Sequence, residues 1–463
     1  MPAGRPDPRG PVQYTGVKTT RSPRRISWDV LRVIAVLAVV FQHATHQVTI
    51  NHPELGDPPF RFSLQIGAAT LLTISAFFVC ETVRRGNTLR WWWNRVARLL
   101  PAYVVAVLFT WAAFAVLAPA DWYVPTPWDV AGNLLFLQSW LPSVHYVDGA
   151  YWTLPVQLLA FTAAALLWPR GRWNTWHAPA LVWAVVLVPL GLRLLYTPES
   201  PQWFRLLFDG LGLHRAHLFA AGAAIWFWSR RRLGGWHLTA LLGVLLVAHE
   251  AHSADLASTV AFGVLLVLIA LAAGGPDWDN PVLMAFARPI RWIGGISFGI
   301  YLLNQEVGYL LSSVLLSSGV TSSWVRLAAV VAQAILLGWF LTTLVERPAH
   351  RWLTRRLPEL LRSWRGSPGE ATASSAAGPG SGGRGGAESV RSGRPGDGAG
   401  GEHELAERGV PARPAHDLVE FAVAQRDGDL AERRGTGVAD AAAAPLSVRP
   451  VDERTVRRAP GRD

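Results

Sequence analysis

The sequence predicts an all-α, polytopic membrane helix bundle of about ten transmembrane helices, with both termini cytoplasmic. Three observations carry that prediction. Hydrophobic residues make up 51% of the 463 residues, mean hydropathy is +0.23, and the apolar residues recur in runs of about 20, the length that crosses ~30 Å of hydrocarbon. The chain holds 23 Trp, a side chain that gathers at membrane–water boundaries. The arginines fall in alternate loops, as the positive-inside rule requires of an even number of spans.

The apolar runs lie at 28–49, 63–83, 99–119, 152–168, 178–197, 211–228, 236–249, 257–274, 293–315 and 325–345. The seventh is short. A weaker run, Ala131 to Leu141, carries Asn133, Gln138 and Ser139 and is too short to span, so it reads as a re-entrant or interfacial helix. The first run lacks a cleavage site and exceeds a signal-peptide core, so it is expected to be a retained span. On one side of the membrane the sequence places Lys18, Arg21, Arg24 and Arg25, then Arg84, Arg85, Arg90, Arg95 and Arg98. Arg170, Arg172, Arg230 to Arg232, Arg288 and Arg291 follow on the same side. The intervening stretches "NHPELGDPPF", "APADWYVPTPWD" and "HEAHSAD" have no Arg.

Three domains follow: a basic cytoplasmic N-terminal segment at 1–27, a transmembrane domain at 28–350 and a cytoplasmic tail at 351–463. From Ser367 the tail is Gly, Ser, Ala, Pro and Arg, a composition unable to build a core and expected to be mostly disordered. The formal net charge of +11 is explained by cytoplasmic arginines, so no nucleic-acid partner is expected. The single cysteine, Cys80, excludes an intramolecular disulfide and a Cys-based metal site. His249 and His252 flank Glu250, but that spacing alone defines no ligand set, and no metal is expected. No Gly-x-Ser-x-Gly elbow, Walker loop or Rossmann fingerprint occurs.

The first span, "WDVLRVIAVLAVVFQHATHQ", contains four ionisable groups, Asp29, Arg32, His43 and His46. At about 100° per residue, the eleven-residue step from Arg32 to His43 closes to within about 20° of three turns. The two therefore share a helix face, roughly 16 Å apart along the axis. Asp29 stands three residues before Arg32 and can pair with it; His46 is near the outer surface. Ionisable groups are expensive in lipid and face a cavity or the protein interior. His43, in the outer half of the span, has no obvious structural reason to be there. An imidazole with an ordinary pKa near 6.5 can take a proton from a hydroxyl at neutral pH and return it.

The arrangement Arg32-x10-His43, preceded by "WDVLR", resembles the integral-membrane acyltransferase-3 family. Further segments match in order over about residues 25–355: "TISAFFVCETVRRG", "NRVARLLPAY" with Arg95, Arg98 and Pro101, "YWTLPVQLLAF", "RAHLFAAGAAIW", "IGGISFGIYLLNQ" and "LVERPAHRWL" with Glu346 and Pro348. Where the family often has Glu this chain has Gln157, where it often has His this chain has Asn304, and Ser75–Ala76 stands for the usual Ser-Gly. Gln and Asn keep hydrogen bonding but carry no charge.

The resemblance implies a multi-pass cell-membrane enzyme, an O-acyltransferase. Its donor substrate is acyl-CoA, most simply acetyl-CoA, with no permanently bound cofactor. Its acceptor is a carbohydrate or glycosylated small molecule. In that reading His43 is the general base, or carries a covalent acyl group, and Arg32 is the second catalytic residue, holding the donor or steadying the cavity through Asp29. Arg95 and Arg98, at the cytoplasmic start of the third span, hold the CoA phosphates. Asp29, Trp152, Gln157, Tyr301, Asn304 and Glu346 are the candidate substrate-binding residues. The Ala-, Arg- and Gly-rich composition suggests a bacterial source. Two other readings remain open on sequence: a transporter or flippase for a glycan or small solute, and a scaffold that recruits partners through its tail. Labelled acetyl-CoA separates them from the enzyme.

Overall fold

A computed structural model describes residues 25–83, 87–167, 177–197 and 199–364, with side chains omitted at 177–178 and 357–364. The basic segment through Arg24, the loop arginines Arg84, Arg85, Arg170 and Arg172, and the tail beyond 364 lie outside the described residues. The described chain is helical throughout. In order the helices are α1 (Ile26–Asn51), α2 (Ile66–Val83), α3 (Thr88–Leu117), α4 (Pro127–Leu134), α5 (Gly149–Leu167), α6 (His177–Leu194), α7 (Gln202–Gly210) and α8 (Ala216–Ser229). They continue with α9 (Gly235–Ser253), α10 (Leu256–Gly274), α11 (Pro281–Ala285), α12 (Ala287–Leu302), α13 (Glu306–Ser317), α14 (Ser323–Phe340) and α15 (Arg347–Trp364). Among the described residues six helices are long and apolar enough to cross a membrane: α1, α2, α3, α5, α10 and the continuous stretch Ser323–Arg356.

Several boundaries differ from the sequence expectation. The third helix begins at Thr88, capped by Asn87 Oδ1 on the N–H groups of Leu89 and Arg90. Its "NRVAR" segment is therefore helix, although the apolar run starts a full three turns later. The seventh run is extended to 19 residues by polar ends that hydropathy discounts. The expected interfacial helix at 131–141 is instead α4, earlier in the chain and ended by Phe136 at φ 59°. A capping box between Thr126 and Asp129 starts it. Burial pushes the Asp129 carboxyl up, but donors from Thr126, Tyr123 and the His145 backbone outweigh it and hold the group below the usual carboxylate range.

The largest correction is the ninth run. It is not one helix but two, α12 and α13, interrupted at Leu303–Gln305. An interruption frees backbone groups that lipid cannot satisfy. Here side chains meet them, two from elsewhere in the bundle and one from the break itself. Gln333 Nε2 donates to Leu303 O at 2.9 Å, Asn304 Nδ2 donates to Tyr301 O at 2.7 Å, and Glu306 N donates to the Asp148 carboxylate at 3.2 Å.

Helix α1 is central: it packs between α2 and α12, while α2 packs in turn on α8 and α12 on α14. Small residues allow these approaches. A Cβ on Gly67 would lie 2.5 Å from Ala35 O, one on Gly222 would lie 2.2 Å from Thr73 O, and one on Gly299 would lie 2.4 Å from Gly338 O. Without water between helices, close packing of this kind is the main cohesive force in a bilayer. The first turn of α1 is fixed from the far end of the chain. Ile26 N and Ser27 N donate to the Asp277 carboxylate at 2.9 and 3.0 Å, and Arg25 Nη2 donates to Gly275 O.

The α2–α8 contact yields a direct test. A Gly222→Ala substitution forces the two backbones apart, a form of overpacking that typically costs about 1–3 kcal/mol. Thermal unfolding of the detergent-purified protein is expected to shift clearly downward; an unchanged midpoint contradicts the close contact.

Candidate active site

The two candidate residues of α1 lie in different helical geometries, Arg32 in the regular part and His43 at the start of a wider turn. Residues Ile26–Gln42 form an ordinary α-helix, and the turn His43–Gln47 widens into a π-helix. Such one-turn bulges rotate side chains out of register and are frequent at functional sites. A second π-helical turn, Leu341–Glu346, joins α14 to α15 and carries Glu346.

His43 meets the interrupted helix. Its Nδ1 lies 2.7 Å from Asn304 Oδ1. The Asn304 amide has its own orientation fixed, because its Nδ2 donates to Tyr301 O. The oxygen it presents to His43 can only accept, so the imidazole proton sits on Nδ1 and the Nε2 lone pair is left available. An asparagine in place of the family's frequent histidine thus sets the tautomer of His43 without adding a second base.

At the Arg-rich end of the bundle, a cavity of 160 Å³ is lined by Arg32, Ser75, Arg95, Arg98, Gln157 and Tyr301, among others. Its three arginines are held differently. Arg32 Nη1 lies 3.3 Å from Asp29 Oδ1 and its guanidinium lies 5.0 Å from the Phe78 ring centroid. Arg95 Nη2 donates to Thr82 Oγ1 at 2.7 Å and to Phe78 O at 3.3 Å. Arg98 Nε donates to Glu346 Oε1 at 2.9 Å, and the Arg98 side chain is half exposed. The expected matched pair of phosphate-binding guanidiniums is therefore unequal. Arg95 is tied to α2, whereas Arg98 is fixed through Nε, with its terminal nitrogens on a half-exposed side chain.

Other candidates find clear places. Gln157 Nε2 donates to Ser75 Oγ at 2.9 Å, so two of the family departures, in Gln157 and around Ser75, are hydrogen-bonded to each other. Tyr301 is buried, donates to Ala150 O at 2.7 Å and accepts from Thr153 Oγ1 at 3.0 Å. Asp29 and Glu346 do not line the cavity; each is a buried carboxylate that holds a lining arginine. Trp152 also stands off from it, with the Arg215 guanidinium 4.2 Å from its ring centroid. Its neighbour Thr153 lines the cavity instead.

A second, smaller cavity opens at the opposite end, lined by Ala44 and Asn304 among others. His43 itself lines neither cavity; on its helix Arg32 lines the larger one and the adjacent Ala44 lines the smaller one. Across from it, Tyr301 and Asn304 divide between the same two spaces.

Phe78, Phe161, Thr153 and Ser297 also line the larger cavity and are not among the residues that the sequence singles out. Aromatic, Ser and Thr side chains inside apolar runs carry no signal without partners in view. His217 Nε2 and His249 Nδ1 are 3.2 Å apart, and the His214 and His252 rings are 4.8 Å apart. Glu250 accepts from Thr259 Oγ1 at 2.7 Å. Among the described residues, no group of three or more His, Cys, Asp or Glu is arranged to hold a metal.

Comparison with known proteins agrees with this architecture. The family model for the acyltransferase domain of the acyltransferase-3 type matches residues 25–343. Over 364 residues the chain is 25% identical to acyltransferase MdmB of Streptomyces mycarofaciens, covering 71% of this chain and 92% of that protein. No solved structure matches. The chain is an integral-membrane acyltransferase and belongs to the acyltransferase-3 family.

Proposed function

We propose that the protein transfers an acyl group, acetyl in the simplest case, from acyl-CoA to a hydroxyl of a carbohydrate or glycosylated acceptor, with His43 as general base. The observation that carries this reading is the His43–Asn304 hydrogen bond. It leaves the Nε2 lone pair unused by Asn304, on a residue whose neighbour Ala44 and partner Asn304 line the smaller cavity. The Arg-rich end is assigned to the cytoplasm by the positive-inside rule, which makes the larger cavity the donor side. A volume of 160 Å³, at roughly 10–15 Å³ per water-sized probe, has room for the reactive end of a pantetheine arm. The nucleotide phosphates then remain at the mouth, near Arg98.

The chemistry follows from the tautomer. The acceptor hydroxyl gives its proton to His43 Nε2 as its oxygen attacks the thioester carbonyl. The new C–O ester bond forms, the C–S bond breaks, and the departing CoA thiolate takes the proton back from Nε2. While the imidazole is charged, Asn304 Oδ1 accepts from Nδ1–H and holds the ring still. Arg32 lies on the donor side, where it orients the thioester end rather than the acceptor. Asp29 and Glu346 act through Arg32 and Arg98 as positioning residues.

Transfer of labelled acetyl groups from acetyl-CoA by the purified protein tests the class of reaction directly. A His43→Gln variant is expected to lose about 10²–10⁴-fold in kcat while eluting as a folded protein. Near-normal turnover removes His43 from the base's role. Asn304→Leu deprives His43 of its acceptor and is expected to lower kcat by about ten-fold with little change in the KM for acyl-CoA. A change in KM alone contradicts the positioning role.

Arg98→Gln removes one charge-assisted contact and is expected to raise the KM for acyl-CoA about ten-fold or more, with kcat largely kept. The same substitution leaving KM unchanged in a titration of acyl-CoA places the CoA phosphates elsewhere.

A further inference from the structure

The smaller cavity contains a charge that the reaction outlined above does not use. Arg326 stands in the first turn of α14 and is 7% exposed, and its Nε and Nη1 have no hydrogen-bond partner. It lines the cavity with Ala44, Asn304, Tyr309, Ser312 and Ser323. Tyr309 is 1% exposed, and its hydroxyl also has no partner. The helix carrying Arg326 is 18 residues long and begins at Ser323, with no side-chain cap on its first N–H groups. Its positive end thus faces the same space. None of the residues lining this cavity is Asp or Glu.

The unpartnered groups of the pocket wall are a guanidinium and a phenol hydroxyl, both able to donate. A buried guanidinium without a counter-ion is costly, and an ionisable group kept at such a cost inside an apolar bundle marks a functional site. The cavity volume of 30 Å³ corresponds to two or three water-sized probes. That admits a carboxylate and excludes a sugar ring. Asn304, which holds His43, forms part of the wall, so a group seated on Arg326 is anchored next to the proposed base.

We propose that this pocket is a carboxylate subsite for the acceptor, so that the acceptor is an acidic sugar of the uronic acid kind, with Arg326 as ionic partner and Tyr309 as a second donor. This rests on the reading of the protein as a transferase to a carbohydrate hydroxyl. It adds a specificity element to that reading. The sugar ring stays outside the pocket, and the carboxylate fixes which of its hydroxyls comes to His43.

The test compares phenyl β-D-glucuronide with phenyl β-D-glucoside, which differ by a carboxylate against a hydroxymethyl group. Calorimetric titration uses the full-length protein in detergent. The wild type is expected to bind the glucuronide about ten-fold or more tightly than the glucoside. Arg326→Gln is expected to abolish the difference, and Arg326→Lys to keep part of it. Tyr309→Phe, a smaller change, is expected to reduce it if Arg326→Gln does not fold. Equal affinities in the wild type, binding of neither glycoside, or a preference that survives Arg326→Gln overturns the proposal. Displacement of the glucuronide by an equal concentration of sodium acetate also overturns it, since the pocket then takes any free carboxylate. Acetyl transfer is measured in parallel. A glucuronide preference without transfer to either glycoside leaves the subsite standing and defeats the transferase reading of it. Transfer to both glycosides with no preference defeats the subsite alone.

Discussion

A helix that stops inside a membrane must find partners for the backbone groups it frees, and the rest of this site depends on how that requirement is met at Leu303–Gln305. Gln333, Asp148 and Asn304 supply the partners. The bond that Asn304 makes to Tyr301 O also fixes which end of its amide faces outward. The amide oxygen then meets Nδ1 of His43 at 2.7 Å. One asparagine thus closes a break in the backbone and sets the proton position on the imidazole. On the opposite helix, the π-helical turn that begins at His43 brings the ring to that break.

The arginine end shows a different economy. Charges in an apolar bundle are kept by pairing, stacking or function. Arg32 has Asp29 and Phe78, Arg95 has α2, and Arg98 has Glu346. Both supporting carboxylates are buried, Asp29 fully and Glu346 at 5% exposure. Each restrains its arginine from behind while the guanidinium lines the cavity. Arg326, at the other end, lacks such a partner for two of its nitrogens. That contrast separates the arginines paired within the scaffold from the one proposed to hold a carboxylate.

Much of this was legible in the sequence. Runs of about 20 apolar residues gave the helical membrane class, and the three-residue and eleven-residue spacings placed Asp29, Arg32 and His43 on one face. What was hidden has physical causes. The break between α12 and α13 lies at Leu303–Gln305, three residues that include no Pro or Gly to mark it. It exists because Gln333 and Asp148, distant in sequence, stabilise it. The cap on α1 comes from Asp277, some 250 residues away. Hydropathy also discounted the polar start of α3 and so placed Arg95 and Arg98 in a loop. Arg326 carried the same signal as His43, an ionisable group within an apolar run, but its isolation is visible only in three dimensions.

Entry of the reacting carbonyl toward His43 from the arginine-lined cavity is the step on which the proposed transfer depends. It is tested most directly by determining the structure of the protein with an acyl-CoA analogue in which the thioester sulfur is replaced by a methylene. The account predicts the analogue's carbonyl carbon near His43, with space for an acceptor oxygen about 3–3.5 Å from it and within reach of Nε2. Its phosphates lie toward Arg98. An analogue bound with its carbonyl remote from His43, or entering from the Arg326 end, contradicts it.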